Sequence, residues 1–136
     1  MNASPRTRLA FAWLPAALYM LLIWWLSSRS LNISIDSFPF RDKGVHAAEY
    51  GVLGVLLAHA LAGTFASRSR AVLWWWAAGL TVLFGMTDEI HQAFVPGRSS
   101  DILDVVADAV GAVAGASVRL WWIRPNGTAQ HEEKLG

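Results

Sequence analysis

The sequence predicts an all-α fold, a polytopic membrane protein of four transmembrane helices, and three observations carry that prediction. Of its 136 residues, 54% are hydrophobic and only 15% charged, far greasier than a soluble domain of this size. The apolar residues gather into four long runs separated by short polar segments. Tryptophans and arginines cluster near the ends of those runs, as they do at the two interfaces of a bilayer.

The first run, Leu9 to Leu26, is free of charge and long enough to cross a hydrocarbon core of ~30 Å, with Pro15 as a tolerable kink. It predicts a helix over about 9–27. Arg6 and Arg8 precede it, as they would a cleaved signal peptide, but the run is too long for an ordinary signal core. Ser27-Ser28-Arg29 is also a poor cleavage site, so a retained helix is expected. A polar linker to Phe40 follows. The second helix, 44–63, is apolar except for His46, Glu49, Tyr50 and His59. Helical spacing puts Asp42, His46 and Glu49 on one side of it and Lys43, His46 and Tyr50 on the neighbouring side. The third helix, 71–94, opens with Trp74-Trp75-Trp76 and closes through Asp88, Glu89, His91 and Gln92, with Asp88 and Gln92 sharing a face. Pro96-Gly97 makes the turn. The fourth, 101–123, carries Asp101, Asp104 and Asp108, and then Gly111 and Gly115, whose spacing lets another helix backbone approach closely. Residues 1–124 thus form one domain, and 125–136 read as a disordered cytoplasmic tail.

With four spans, one side of the membrane would hold Arg6, Arg8, Arg68, Arg70, Arg119, Arg124 and Lys134, against Arg29, Arg41, Lys43 and Arg98 on the other. That asymmetry predicts a multi-pass protein of a bacterial cytoplasmic membrane with both termini inside and every polar motif opening outward. Arg119 is expected to reach the inner headgroups, His91 to face the interface, and His59 to be a hydrogen-bonded structural histidine.

Ionisable groups inside apolar helices are costly and are kept mainly where they act. Seven acids, Asp42, Glu49, Asp88, Glu89, Asp101, Asp104 and Asp108, are opposed at the outer helix ends by Arg41, Lys43 and Arg98 and by two titratable histidines, His46 and His91. The excess negative charge needs water, protons, a metal or a cationic ligand. Asp108 lies seven residues beyond Asp101, hence ~10 Å deeper, and needs a partner such as His46, Tyr50 or Gln92. Three chemistries compete. A divalent metal could be held by His46 with Asp88, Asp104 or Glu49, although no fixed ligand spacing demands one. Metal-free acid/base work could use His46 and Asp104 as catalytic groups, with Arg98 and Lys43 holding an anionic group and the backbone N–H groups at the head of the fourth helix adding to that site. Binding without turnover is the third. No cysteine is present, which excludes disulfides and thiolate chemistry, and no basic face interleaved with aromatics points to nucleic acid.

Three fragments resemble the VanZ-like family of small bacterial membrane proteins. They are Asp42-Lys43-x-x-His46-x-x-x-Tyr50, Asp88-Glu89-x-x-Gln92-x-Phe94-x-Pro96-Gly97-Arg98, and Asp101-x-x-Asp104-x-x-x-Asp108-x-x-Gly111 with Gly115. The resemblance covers residues about 27–116. It departs at Asp108, where the family usually carries Asn, which adds a buried acid here. The resemblance implies a cell-envelope role, with a lipid-linked or peptidoglycan-related ligand, and a connection to teicoplanin-type glycopeptide resistance through the family's namesake. It implies no agreed molecular activity. The alternative is a non-catalytic assembly protein whose polar residues serve helix packing and partner docking. A transporter would require oligomerisation to make room for a pathway.

Overall fold

The computed structural model describes residues 4–29 and 41–122, so the predicted tail at 125–136 lies outside the described residues. Four helices follow one another: α1 (Pro5–Ser27), α2 (Arg41–Thr64), α3 (Arg70–Gln92) and α4 (Ile102–Trp122). Each visible start has a chemical cause. Ser4 accepts the Thr7 N–H and Pro5 occupies the first turn of α1, where its missing N–H costs nothing. Ser69 caps α3 through the Val72 N–H, and the Asp101 carboxylate accepts the Leu103 N–H at 2.9 Å to open α4.

The helices pack as one bundle with α2 at its centre. It touches all three others, most extensively α4, whereas α1 packs on α2 and lightly on α3. Helices α2 and α4 run parallel in steady register, since Lys43 meets Asp104, His46 meets Asp108, Ala47 meets Gly111 and Gly51 meets Gly115. Their backbones touch along this seam. A Cβ on Gly111 would run into the Ala47 carbonyl, one on Gly115 into the Gly51 carbonyl, and one on Gly54 would lie 2.8 Å from the Ala112 carbonyl oxygen. Below the seam, Ala58, Leu61, Leu73, Ala77, Ala78, Ala116 and Leu120 form an apolar cluster. A second cluster of Ala16, Ile23, Tyr50, Leu53 and Leu57 joins α1 to α2.

The prediction of four transmembrane helices is corrected here. Two helices, over Arg6–Ser27 and Asp42–Thr64, are long and apolar enough to cross a membrane, and α3 and α4 are not. Both α3 and α4 carry acids along their length, and the two pairs of helices also differ in how polarity is distributed. Apolar residues ring α1 and α2 almost evenly, while α3 and α4 are amphipathic. The inner face of α3 buries Thr81, Asp88, Glu89 and Gln92, and that of α4 buries Asp104 and Asp108. Their outer faces are apolar, with Leu83, Met86 and Ile90 exposed on α3 and Val106, Val110 and Val113 on α4. The observed fold is therefore an all-α four-helix bundle with membrane-spanning character in its first two helices.

Candidate functional site

The polar residues of α2, α3 and α4 converge at one end of the bundle, and two positions make the convergence tight. Gly85 on α3 stands against α4 with room for nothing larger, because a Cβ there would lie 2.9 Å from Asp108 Oδ2 and 3.1 Å from Tyr50 Cε1. Between α3 and α4, Pro96 and Gly97 carry the chain through a tight turn. Gly97 has φ 80°, and the Arg98 N–H closes the turn on the Val95 carbonyl at 3.1 Å. That turn sends the Arg98 side chain back over the bundle end.

A chain of charged contacts runs from the surface inward. Lys43 donates to Asp101 Oδ2 at 2.7 Å and to Asp104 Oδ1, with Asp42 Oδ2 at 3.9 Å. Asp104 Oδ2 faces His46 Nε2 at 3.9 Å, and His46 Nδ1 meets Asp108 Oδ1 at 3.0 Å. An ionised carboxylate can only accept, so this contact puts a proton on Nδ1. The Lys43 ammonium, with help from the Leu103 N–H, holds the half-exposed Asp101 carboxyl below the usual carboxylate range. Behind them Glu89 Oε2 accepts the Asp101 N–H at 3.0 Å, while burial pushes the Glu89 carboxyl up. Asp101 and Glu89 thereby occupy the head of α4, and the expected anion site on its backbone N–H groups is taken by the protein's own carboxylates.

Beside this chain lies a cavity of about 320 Å³ lined by Asp42, His46, Glu49, Asp88, Gln92 and Arg98 together with Ile23, Leu26, Ser27 and Val45. Gln92 Nε2 donates to Asp88 Oδ2 at 3.0 Å. Several buried polar atoms here have no hydrogen-bond partner among the described residues. Ser27 Oγ, Asp88 Oδ1 and Arg98 Nε belong to cavity-lining side chains, and Tyr50 OH, Glu89 Oε1 and Asp108 Oδ2 lie in the surrounding shell. Such atoms each cost of order 1–3 kcal/mol when left dry, so water or a ligand is expected against them.

The structure thus gathers all twelve predicted site residues at one end, but in two groups. Asp42, His46, Glu49, Asp88, Gln92 and Arg98 line the cavity, whereas Lys43, Glu89, Asp101, Asp104 and Asp108 form the network behind it and Tyr50 lies with Asp108 against Gly85. His46 belongs to both. Two groups of side chains present atoms within 4.8 Å of one another and could coordinate a divalent ion: Asp42 with His46 and Asp104, and His46 with Glu89 and Asp108.

Sequence reasoning missed Ser27, the first polar residue after an apolar run whose end lies on the same side as the other motifs. It also missed Gly85, Gly51 and Gly54, whose roles come from close approach. Three other placements differ from, or refine, what was expected. Arg119 donates to His59 Nδ1 at 2.8 Å instead of extending alone to headgroups, which supplies the hydrogen bond expected of His59. His91 stacks on Trp24 with ring centroids 4.1 Å apart and hydrogen-bonds Ser28 Oγ at 2.9 Å, so it ties α1 to α3.

No curated protein and no solved structure matches the chain. A family match does extend over residues 7–123, which takes in all four helices and the whole of this site. The chain belongs to the VanZ/LLP1 family.

Proposed function

We propose that this protein sits in the bacterial cytoplasmic membrane with its termini inside and uses the polar end of the bundle, facing outward, to bind or modify a cell-envelope component. The basic residues near the N-terminus and at the α2–α3 turn, Arg6, Arg8, Arg68 and Arg70, support that orientation of α1 and α2. The ligand is lipid-linked or peptidoglycan-related. Arg98 holds an anionic group of it, and His46 with Asp104 handles protons or a metal there.

One observation carries this reading. The cavity sets charged and polar side chains beside apolar ones, is enclosed by helices whose outer surfaces are apolar, and is rimmed by buried hydrogen-bonding atoms that have no partner among the described residues. A bundle built only to anchor itself gains nothing from such atoms. Family membership extends the reading to susceptibility toward teicoplanin-type glycopeptides, which is a phenotype to measure. Asp104→Asn and Arg98→Ala, expressed at normal levels in a deletion strain, are expected to fail in restoring its envelope and antibiotic-susceptibility phenotypes. Full complementation by both variants would overturn the reading.

The assembly alternative draws on the glycine seam and on the helix-to-helix character of most of the polar contacts. It predicts that the same variants lose protein level or a co-purified partner, with no change in any bound lipid or metal.

A further inference from the structure

The gap between α2 and α4 at the cavity edge carries a more specific assignment. We propose that His46 Nε2, Asp104 Oδ2 and the Asp42 carboxylate hold a divalent cation of the zinc or manganese class, with Asp108 aiming the imidazole. This deepens the reading of the same pocket and rests on it for the biological role only.

Each side chain is already committed in a way that leaves one ligand atom over. His46 is 9% exposed and lines the cavity, its Nδ1 is engaged by Asp108, and its Nε2 has no hydrogen-bond partner among the described residues. Metal-bound histidines characteristically give their second nitrogen to a carboxylate, which fixes the tautomer and the ring plane. Asp104 is 5% exposed, and Lys43 engages its Oδ1, leaving Oδ2 turned toward Nε2 at 3.9 Å. Asp42 stands one turn before His46 on the same face of α2, and the ligand atoms of all three lie within 4.8 Å of one another. A metal with bonds of roughly 2.0–2.2 Å draws its ligands a little closer than this, within reach of side-chain rotation.

Charge is compatible with this. Asp42, Asp101 and Asp104 surround a single ammonium, that of Lys43, and Asp108 faces only the His46 imidazole, so the positive centre between Asp104 and Asp108 is either that ring carrying a second proton or a bound cation. The other grouping, His46 with Glu89 and Asp108, is the weaker choice. Asp108 already accepts from the imidazole, and Glu89 already accepts the Asp101 N–H. An ion held by Asp42, His46 and Asp104 would lie at the wall of the cavity that Arg98 also lines, so an anionic ligand there would meet a metal and a guanidinium together.

The test uses the full-length, tag-free protein in detergent, stripped with chelator and titrated with Zn²⁺ alone by calorimetry, with bound metal counted by elemental analysis. One equivalent is expected to bind the wild type. Asp42→Asn, at an exposed position that should not disturb folding, and His46→Gln are expected to lose that equivalent. Asp108→Asn is expected to weaken it roughly 10- to 100-fold. Arg98→Lys is expected to bind Zn²⁺ as the wild type does. Absence of Zn²⁺ binding by the wild type, or undiminished binding by Asp42→Asn, would overturn the assignment and leave a protonated imidazole in the gap. Failure of the pocket reading is seen separately, as full complementation by both Asp104→Asn and Arg98→Ala whatever the Zn²⁺ result.

Discussion

Helices α2 and α4 meet in two ways along one interface. Through Ala47, Gly51 and Gly54 they touch backbone to backbone against Gly111, Ala112 and Gly115. One turn earlier they are held apart by side chains, Lys43 and His46 against Asp101, Asp104 and Asp108. The difference assigns each region a task. The seam has no side chains to adjust, so it fixes the register. The polar end has long side chains and unused atoms, so it can change partners once the register is fixed.

Breaking the seam should therefore do the most damage. Gly115→Leu drives a side chain into the Gly51 carbonyl, where neither backbone can yield. The expected cost exceeds the roughly 1–3 kcal/mol of ordinary overpacking, and folded protein in membranes should fall sharply on a thermal-stability assay in detergent. Gly51→Ala is the control within the same seam. Its Cβ would lie 3.5 Å from the Gly111 carbonyl oxygen, an ordinary contact, so the variant should keep wild-type stability or gain up to about 1 kcal/mol.

At the polar end, Lys43→Ala should cost less than the seam variant, about 1–3 kcal/mol, because buried Asp104 loses its cation while half-exposed Asp101 regains water. Lys43→Arg should recover most of it, and equal melting temperatures for the two variants would sink this account. Gly85→Ala tests the back wall. The added methyl displaces Asp108 or Tyr50 and is expected to cost about 1 kcal/mol, with a larger proportional loss of Zn²⁺ affinity than of stability.

The smallest effect is that of acid. The folded-state pKa of Asp101 is depressed, so its pairing with Lys43 contributes stability that is complete above the unfolded value of about 3.9 and disappears as pH falls through the lower folded value. The melting-temperature gap between the wild type and Asp101→Asn should stay constant near neutrality and close only at the acid end.

How much of this was legible in the chain depends on whether a residue acts through its own chemistry or through its neighbours. Asp104, His46 and Arg98 announce themselves, because an ionisable group in apolar sequence is conspicuous wherever it lands. Gly111 and Gly115 were readable from their spacing, but their partners Gly51 and Gly54 were not, since a glycine among Val and Leu has no distinguishing chemistry until a second backbone lies against it. The division of Asp104 and Asp42 between network and cavity depends on side-chain direction, which spacing does not give. The excess of predicted spans has a related cause. Runs of apolar residues in α3 and α4 were read as spans from their length, whereas Asp88, Glu89, Asp104 and Asp108 sit among them on an inward face, and neither helix passes as a span.

The grip of α1 has a mechanical corollary. It supplies Ile23, Leu26 and Ser27 to one wall of the cavity, yet the contacts joining Lys43, His46, Asp101, Asp104 and Asp108 are anchored entirely in α2, α4 and the turn before α4. At that end α1 is fastened to α3 through Trp24, Ser28 and His91. That clasp lies within one turn of Ile23, Leu26 and Ser27, so the α1 wall of the chamber is set by the contact with α3 and the opposite side by the charged framework.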